Sequence, residues 1–60
     1  MFNIAVFDDQ GFVVDAIVQH FKTKPKVGRI KGFTHANLLK NYVNENEVDV
    51  VISDVLTDED

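Results

Sequence analysis

An α/β fold is predicted for this chain, built on a small parallel sheet whose three strands lie side by side in the order second, first, third. Three observations lead there. Residues 2–7 (FNIAVF) and 48–54 (VDVVISD) are short, nearly continuous apolar runs, the pattern of strands covered on both faces. Segments with helical periodicity alternate with the strands, giving strand, helix, strand, helix, strand. Crossovers between parallel strands are right-handed, so two helices on opposite faces force the second and third strands to opposite sides of the first.

The elements follow in order. The first strand halts at two adjacent carboxylates, Asp8 and Asp9. From Gln10 the period changes: Val13, Ala16, Ile17, His20 and Phe21 recur at i, i+3, i+4, i+7 and i+8, one stripe of an amphipathic helix. Pro25 stops it, and because proline biases the preceding residue toward extended backbone, Lys24 marks the boundary. In residues 26–33 (KVGRIKGF) alternation puts Arg29 and Lys31 on one face and Gly28, Ile30 and Gly32 on the other. Charges on a short strand protect a sheet edge. Thr34 is placed to cap the second helix, residues 35–46 (HANLLKNYVNEN), with Leu38, Leu39, Tyr42 and Val43 as its buried stripe. The third strand ends, like the first, in a carboxylate, Asp54. Phe12, Phe21, Phe33 and Tyr42 are expected in the core.

Composition bounds what such a fold can do. A chain of 60 residues makes one small domain that buries only about 60% of its unfolded surface, so its independent stability is marginal. With 45% hydrophobic residues and one proline it has the composition of a packed chain rather than a disordered tail. No cysteine is present, which excludes disulfides and thiol chemistry. The start MFNIAVFDD has neither a basic leader nor a stretch long enough for a membrane span, and a cytoplasmic location is expected. A net charge of -4 argues against unaided binding to nucleic acid or an anionic membrane. That charge is uneven: Lys22, Lys24, Lys26, Arg29 and Lys31 fall in one acid-free stretch, whereas the last sixteen residues carry seven acids and no base. A solvated face explains this pattern, and so does a docking surface.

In open α/β sheets ligands bind beyond the carboxyl ends of the strands, where the winding reverses. Here that point lies between the first and third strands, so Asp8 and Asp9 converge with Asp54. At an effective dielectric of about 20, two unit charges about 4 Å apart cost on the order of 4 kcal/mol. A divalent cation relieves the repulsion, and oxygen ligands without His or Cys suit Mg2+. An Asp carboxylate can also attack phosphorus to form an aspartyl phosphate, with Mg2+ offsetting the charge that develops. Spacing leaves open which Asp would do so, and Asp9 taken singly, after a strand and before a helix, reads more readily as a structural N-cap than as a functional residue, with Asp54 similar.

With VFDD closing the first strand, an amphipathic helix after it and VDVVISD ending in an acid, the chain resembles the receiver domain of bacterial two-component response regulators. The layout IAVFDDQGFVVDAIVQHF is similar to regulators whose output is a helix-turn-helix DNA-binding domain. The resemblance covers essentially the whole chain as the amino-terminal half of one flavodoxin-like receiver. It implies that Asp54 accepts a phosphoryl group from a sensor histidine kinase. It also implies that Asp9 ligates Mg2+ directly, that Asp8 acts mostly through water, and that the backbone carbonyl of Leu56 completes the protein ligands.

Receivers usually continue with Met and Pro at the third and fourth positions after the acceptor; this chain has Thr57 and Asp58. The family also needs a hydroxyl residue and a Lys from two further strands, which these 60 residues do not contain. A third strand without a neighbour leaves an apolar edge open to self-association. Two rival functions remain. A degenerate receiver would bind partners without phosphorylation, an alternative that Thr57 and Asp58 leave open. An aspartate-dependent phosphohydrolase would carry its nucleophile on the first strand with a second Asp two residues on, which adjacent Asp8 and Asp9 do not match. His20 and His35, on different helices and without cysteines, read as packing or capping residues. Gly11 has no glycine-rich phosphate loop around it, and Ser53 has no neighbouring base.

Overall fold

The computed structural model describes residues 1–53. Strand β1 (Phe2–Phe7), helix α1 (Gly11–Lys22), strand β2 (Val27–Phe33), helix α2 (Ala36–Glu45) and strand β3 (Val50–Ser53) follow one another, and the three parallel strands lie in the order β2-β1-β3. This is the predicted α/β architecture, a partial flavodoxin-like fold. No helix among the described residues is long and apolar enough to cross a membrane.

β1 is the centre of the molecule. Ala5 and Val6 are fully buried, with Ile4 nearly so, as the continuous apolar run requires of a strand with a neighbour on each side and a helix over each face. Ile4 and Val6 join Val14 in the core under α1, where Ile17, Val18, Val27, Ile30 and Ile52 pack around them. Each aliphatic side chain so buried contributes about 1.5–3 kcal/mol. On the other face Phe33 is buried, with the ring of Tyr42 from α2 at 5.1 Å between centroids.

The faces of two elements differ from the expectation. In α1 the buried stripe is Val14, Ile17, Val18 and Phe21, one position round from the predicted one, and Ala16 and His20 are exposed. Gly32 explains the rotation. It stands opposite Val6, and a Cβ there would collide with Val14 Cγ1 and stand 3.2 Å from Val18 Cγ2, so the missing side chain is the slot that α1 settles into. In β2 the pairing skips Gly28, since Phe2 faces Val27 while Asn3 faces Arg29. The extra residue is a bulge, and it returns Val27 to the same face as Ile30. Arg29 and Lys31 are exposed, as alternation predicts. Lys31 Nζ sits 5.9 Å from the centroid of the Phe33 ring.

α2 is the less buried helix. None of its residues is fully buried, and Leu38 and Val43 of the predicted stripe are exposed while Leu39 and Tyr42 are half-buried. Its N-cap is His35 rather than Thr34, and no side chain caps it. The far end is better tied, because the Tyr42 carbonyl accepts from both the backbone N–H (2.9 Å) and the Nδ2 (3.0 Å) of Asn46. Phe12, expected in the core, is 73% exposed because it lies on the outer side of the first turn of α1.

Candidate functional site

The predicted acidic site lies where β1 ends. Asp8 follows Phe7, and its backbone N–H donates to the Phe33 carbonyl at 3.2 Å, which ties the carboxyl end of β1 to that of β2. Its side chain turns inward: Asp8 is only 4% exposed, the one buried charged residue among those described. Asp8 Oδ1 accepts the Gln10 N–H at 2.9 Å. Gln10 is the N-cap of α1, and its own carbonyl accepts from Val13 (3.0 Å) and Val14 (3.3 Å). Asp8 therefore fixes the turn that launches the helix, a role read in the sequence for Asp9. Asp9 is exposed and does not cap α1.

The electrostatics follow from this placement. One backbone donor fills one of a carboxylate's roughly four acceptor positions. A charged group taken out of water needs more compensation than that. The N-terminus of α1 supplies part of it, equivalent to roughly half a positive charge.

On the third strand the structure brings Ser53 level with Phe7, so the described part of β3 reaches the height where β1 gives way to Asp8. Asp54 and Leu56 lie outside the described residues, as do Thr57 and Asp58. Among the described residues no group of three or more His, Asp or Glu side chains is gathered as a metal centre, so Asp8 and Asp9 form a pair and not yet a site. One concavity among the described residues, whose lining includes Gly11, Val14, Asp15, Lys31, Gly32 and Phe33, contains neither Asp8 nor Asp9.

One residue that matters was missed in the sequence. Asp49, just before β3, accepts the Asn3 N–H on Oδ2 at 2.8 Å, and its own N–H donates to the Asn3 carbonyl at 2.8 Å. The side chain thus takes the part of a backbone carbonyl and sets the register of β3 against β1. An Asp before an apolar run reads in sequence as ordinary polar punctuation. His20 and His35 are both exposed, and His20 makes an edge-to-face contact with Phe21 at 4.9 Å. Compared with protein-family models, with curated proteins and with solved structures, the chain returns no match.

Proposed function

We propose that these residues form the amino-terminal half of a phosphoacceptor receiver domain in a two-component signalling pathway. On this reading Asp54 takes a phosphoryl group from a phosphohistidine of a sensor kinase, and the phosphorylated state switches an output domain, a DNA-binding transcription regulator. The observation that supports it most is the pairing of Phe7 with Ser53 beside the buried carboxylate of Asp8. A single peptide unit, about 3.8 Å from Cα to Cα, separates Ser53 from the proposed acceptor.

The chain's own residues then divide the work. Asp54 supplies the attacking oxygen: a P–O bond to its carboxylate forms as the P–N bond of the donor breaks, and the leaving imidazole takes up a proton. Asp9, exposed, would hold Mg2+ directly. Asp8, buried and bonded to Gln10, would act through water and keep the turn in place, and the Leu56 carbonyl would complete the protein ligands. Bound Mg2+ offsets the negative charge of the carboxylates and of the transferring group. Phosphorylation shifts a two-state equilibrium rather than driving turnover, so the protein is read as a switch and not an enzyme.

The test uses the parent receiver that carries these residues. Incubation with acetyl phosphate and Mg2+ should give a labile phosphoryl adduct by intact mass in the wild type and none in Asp54→Asn. No adduct in either would favour a degenerate receiver that binds partners unphosphorylated. Continuous release of phosphate from an ester would point instead to a phosphohydrolase.

A further inference from the structure

The aliphatic side chains of β3 do not by themselves fix where it lies along β1. In the observed register Val50 stands opposite Ile4 and Ile52 opposite Val6. Val48 continues the same alternation, so a slide of two residues would set Val48 and Val50 against Ile4 and Val6 and keep an aliphatic face. Such a slide moves the strand by about 6.6 Å. Asp49 tells the two registers apart. Its N–H donates to the Asn3 carbonyl and its Oδ2 accepts the Asn3 N–H, both at 2.8 Å, so one residue engages both backbone groups of Asn3. The slide would present Glu47 to Asn3 instead, with its carboxylate one methylene further from the backbone.

We propose that Asp49 is a positioning residue for the phosphoryl transfer: its hook on Asn3 holds Ser53 level with Phe7, and so sets the height of Asp54, one peptide bond on, against Asp8 and Asp9. This inference rests on the phosphoacceptor reading. In the slid register position 54 would stand about 6.6 Å further past the end of β1. Attack needs the reacting atoms about 3–3.5 Å apart, and a misplacement of about 1 Å costs on the order of 100-fold in rate. Asp49 lies before Val50, at the opposite end of β3 from Ser53, so it acts through the strand and not by touching the reacting groups. What the transfer requires of Asp49 is an acceptor oxygen at a given reach, not a negative charge.

The rate of adduct formation in the parent receiver, with acetyl phosphate and saturating Mg2+ and followed by intact mass, tests it. Asp49→Asn keeps an acceptor oxygen at the same reach and should react within about twofold of the wild type. Asp49→Glu keeps the charge but moves the oxygen by one methylene, and Asp49→Ala removes it; both should react about tenfold more slowly. Circular dichroism verifies the folding of each, and the Asn and Glu variants decide the matter if the Ala variant does not fold. Val27→Ala, a truncation at the start of β2, should react like the wild type and so separates position from stability. Wild-type rates in both the Ala and Glu variants would overturn the proposal, as would a slow Asn variant beside a fast Glu variant, which would make the effect one of charge. Equal slowing by Val27→Ala would reduce it to stability and overturn it as well. No adduct in the wild type would overturn the phosphoacceptor reading and this inference with it, whereas an adduct formed equally fast in every variant would overturn the hook alone.

Discussion

β1 and β3 read almost alike, both apolar and both ending at an acid, yet they live in different surroundings. Ala5 and Val6 of β1 are sealed, whereas Val50 and Val51 of β3 are 40% and 47% exposed. The residue types are comparable, so the difference comes from neighbours: among the described residues β1 has a strand on each side and a helix over each face, while β3 is paired with β1 alone. An apolar run in a sequence specifies a strand able to be buried, and the rest of the molecule decides whether it is.

Core truncation should separate the two strands most sharply. Ile4→Ala should cost about 2–5 kcal/mol, enough to unfold so small a domain in part, and urea unfolding followed by circular dichroism measures it. Val51→Thr should stay within about 0.5 kcal/mol under the same assay. Similar losses at both positions would erase the contrast. Next in size comes the slot under α1. Gly32→Ala sets a methyl group against Val14 and should cost about 1–3 kcal/mol, since helix and strand must part to admit it.

The turn at the end of β1 gives a sharper probe. Asp8→Ala removes the acceptor of the Gln10 N–H and should cost about 1–3 kcal/mol. Asp8→Asn keeps an acceptor oxygen and should lose much less stability, while losing most of its response to Mg2+. Equal destabilisation by the two would mean that the charge, not the hydrogen bond, holds this turn. Smallest is the clip on β3: Asp49→Ala should cost about 0.5–1.5 kcal/mol. Its signature is faster hydrogen exchange at Asn3 than at Ile4.

Much of the fold was legible in the sequence because its signals are periodic. The element order, the parallel sheet and the strand order followed from two apolar runs, two helical stripes and the handedness of crossovers. What the sequence hid depends on contacts between elements. The stripe on α1 is turned by one residue because Gly32 leaves a slot that Val14 fills, and a helical wheel drawn from α1 alone contains no knowledge of β2. The bulge at Gly28 is a choice of register between strands. Phe12 is hydrophobic but lies on the wrong side of its helix to be covered, and Leu38 and Val43 belong to a helix that, among the described residues, is set over β1 and β2 alone. At the candidate site the pairing of acids was visible as VFDD. The contrast between a buried Asp8 and an exposed Asp9 was not, because it turns on one hydrogen bond to Gln10.

The most direct measurement is a titration of the chain with Mn2+, a paramagnetic stand-in for Mg2+ with the same preference for carboxylate oxygens, read through the amide resonances. If the carboxyl ends of β1 and β3 form one acidic pocket, the signals of Asp8, Asp9, Gln10 and Ser53 broaden first and together, and Asp54→Asn abolishes the effect. First broadening around Glu45, Glu47 and Asp49, or an unchanged response in Asp54→Asn, would contradict it.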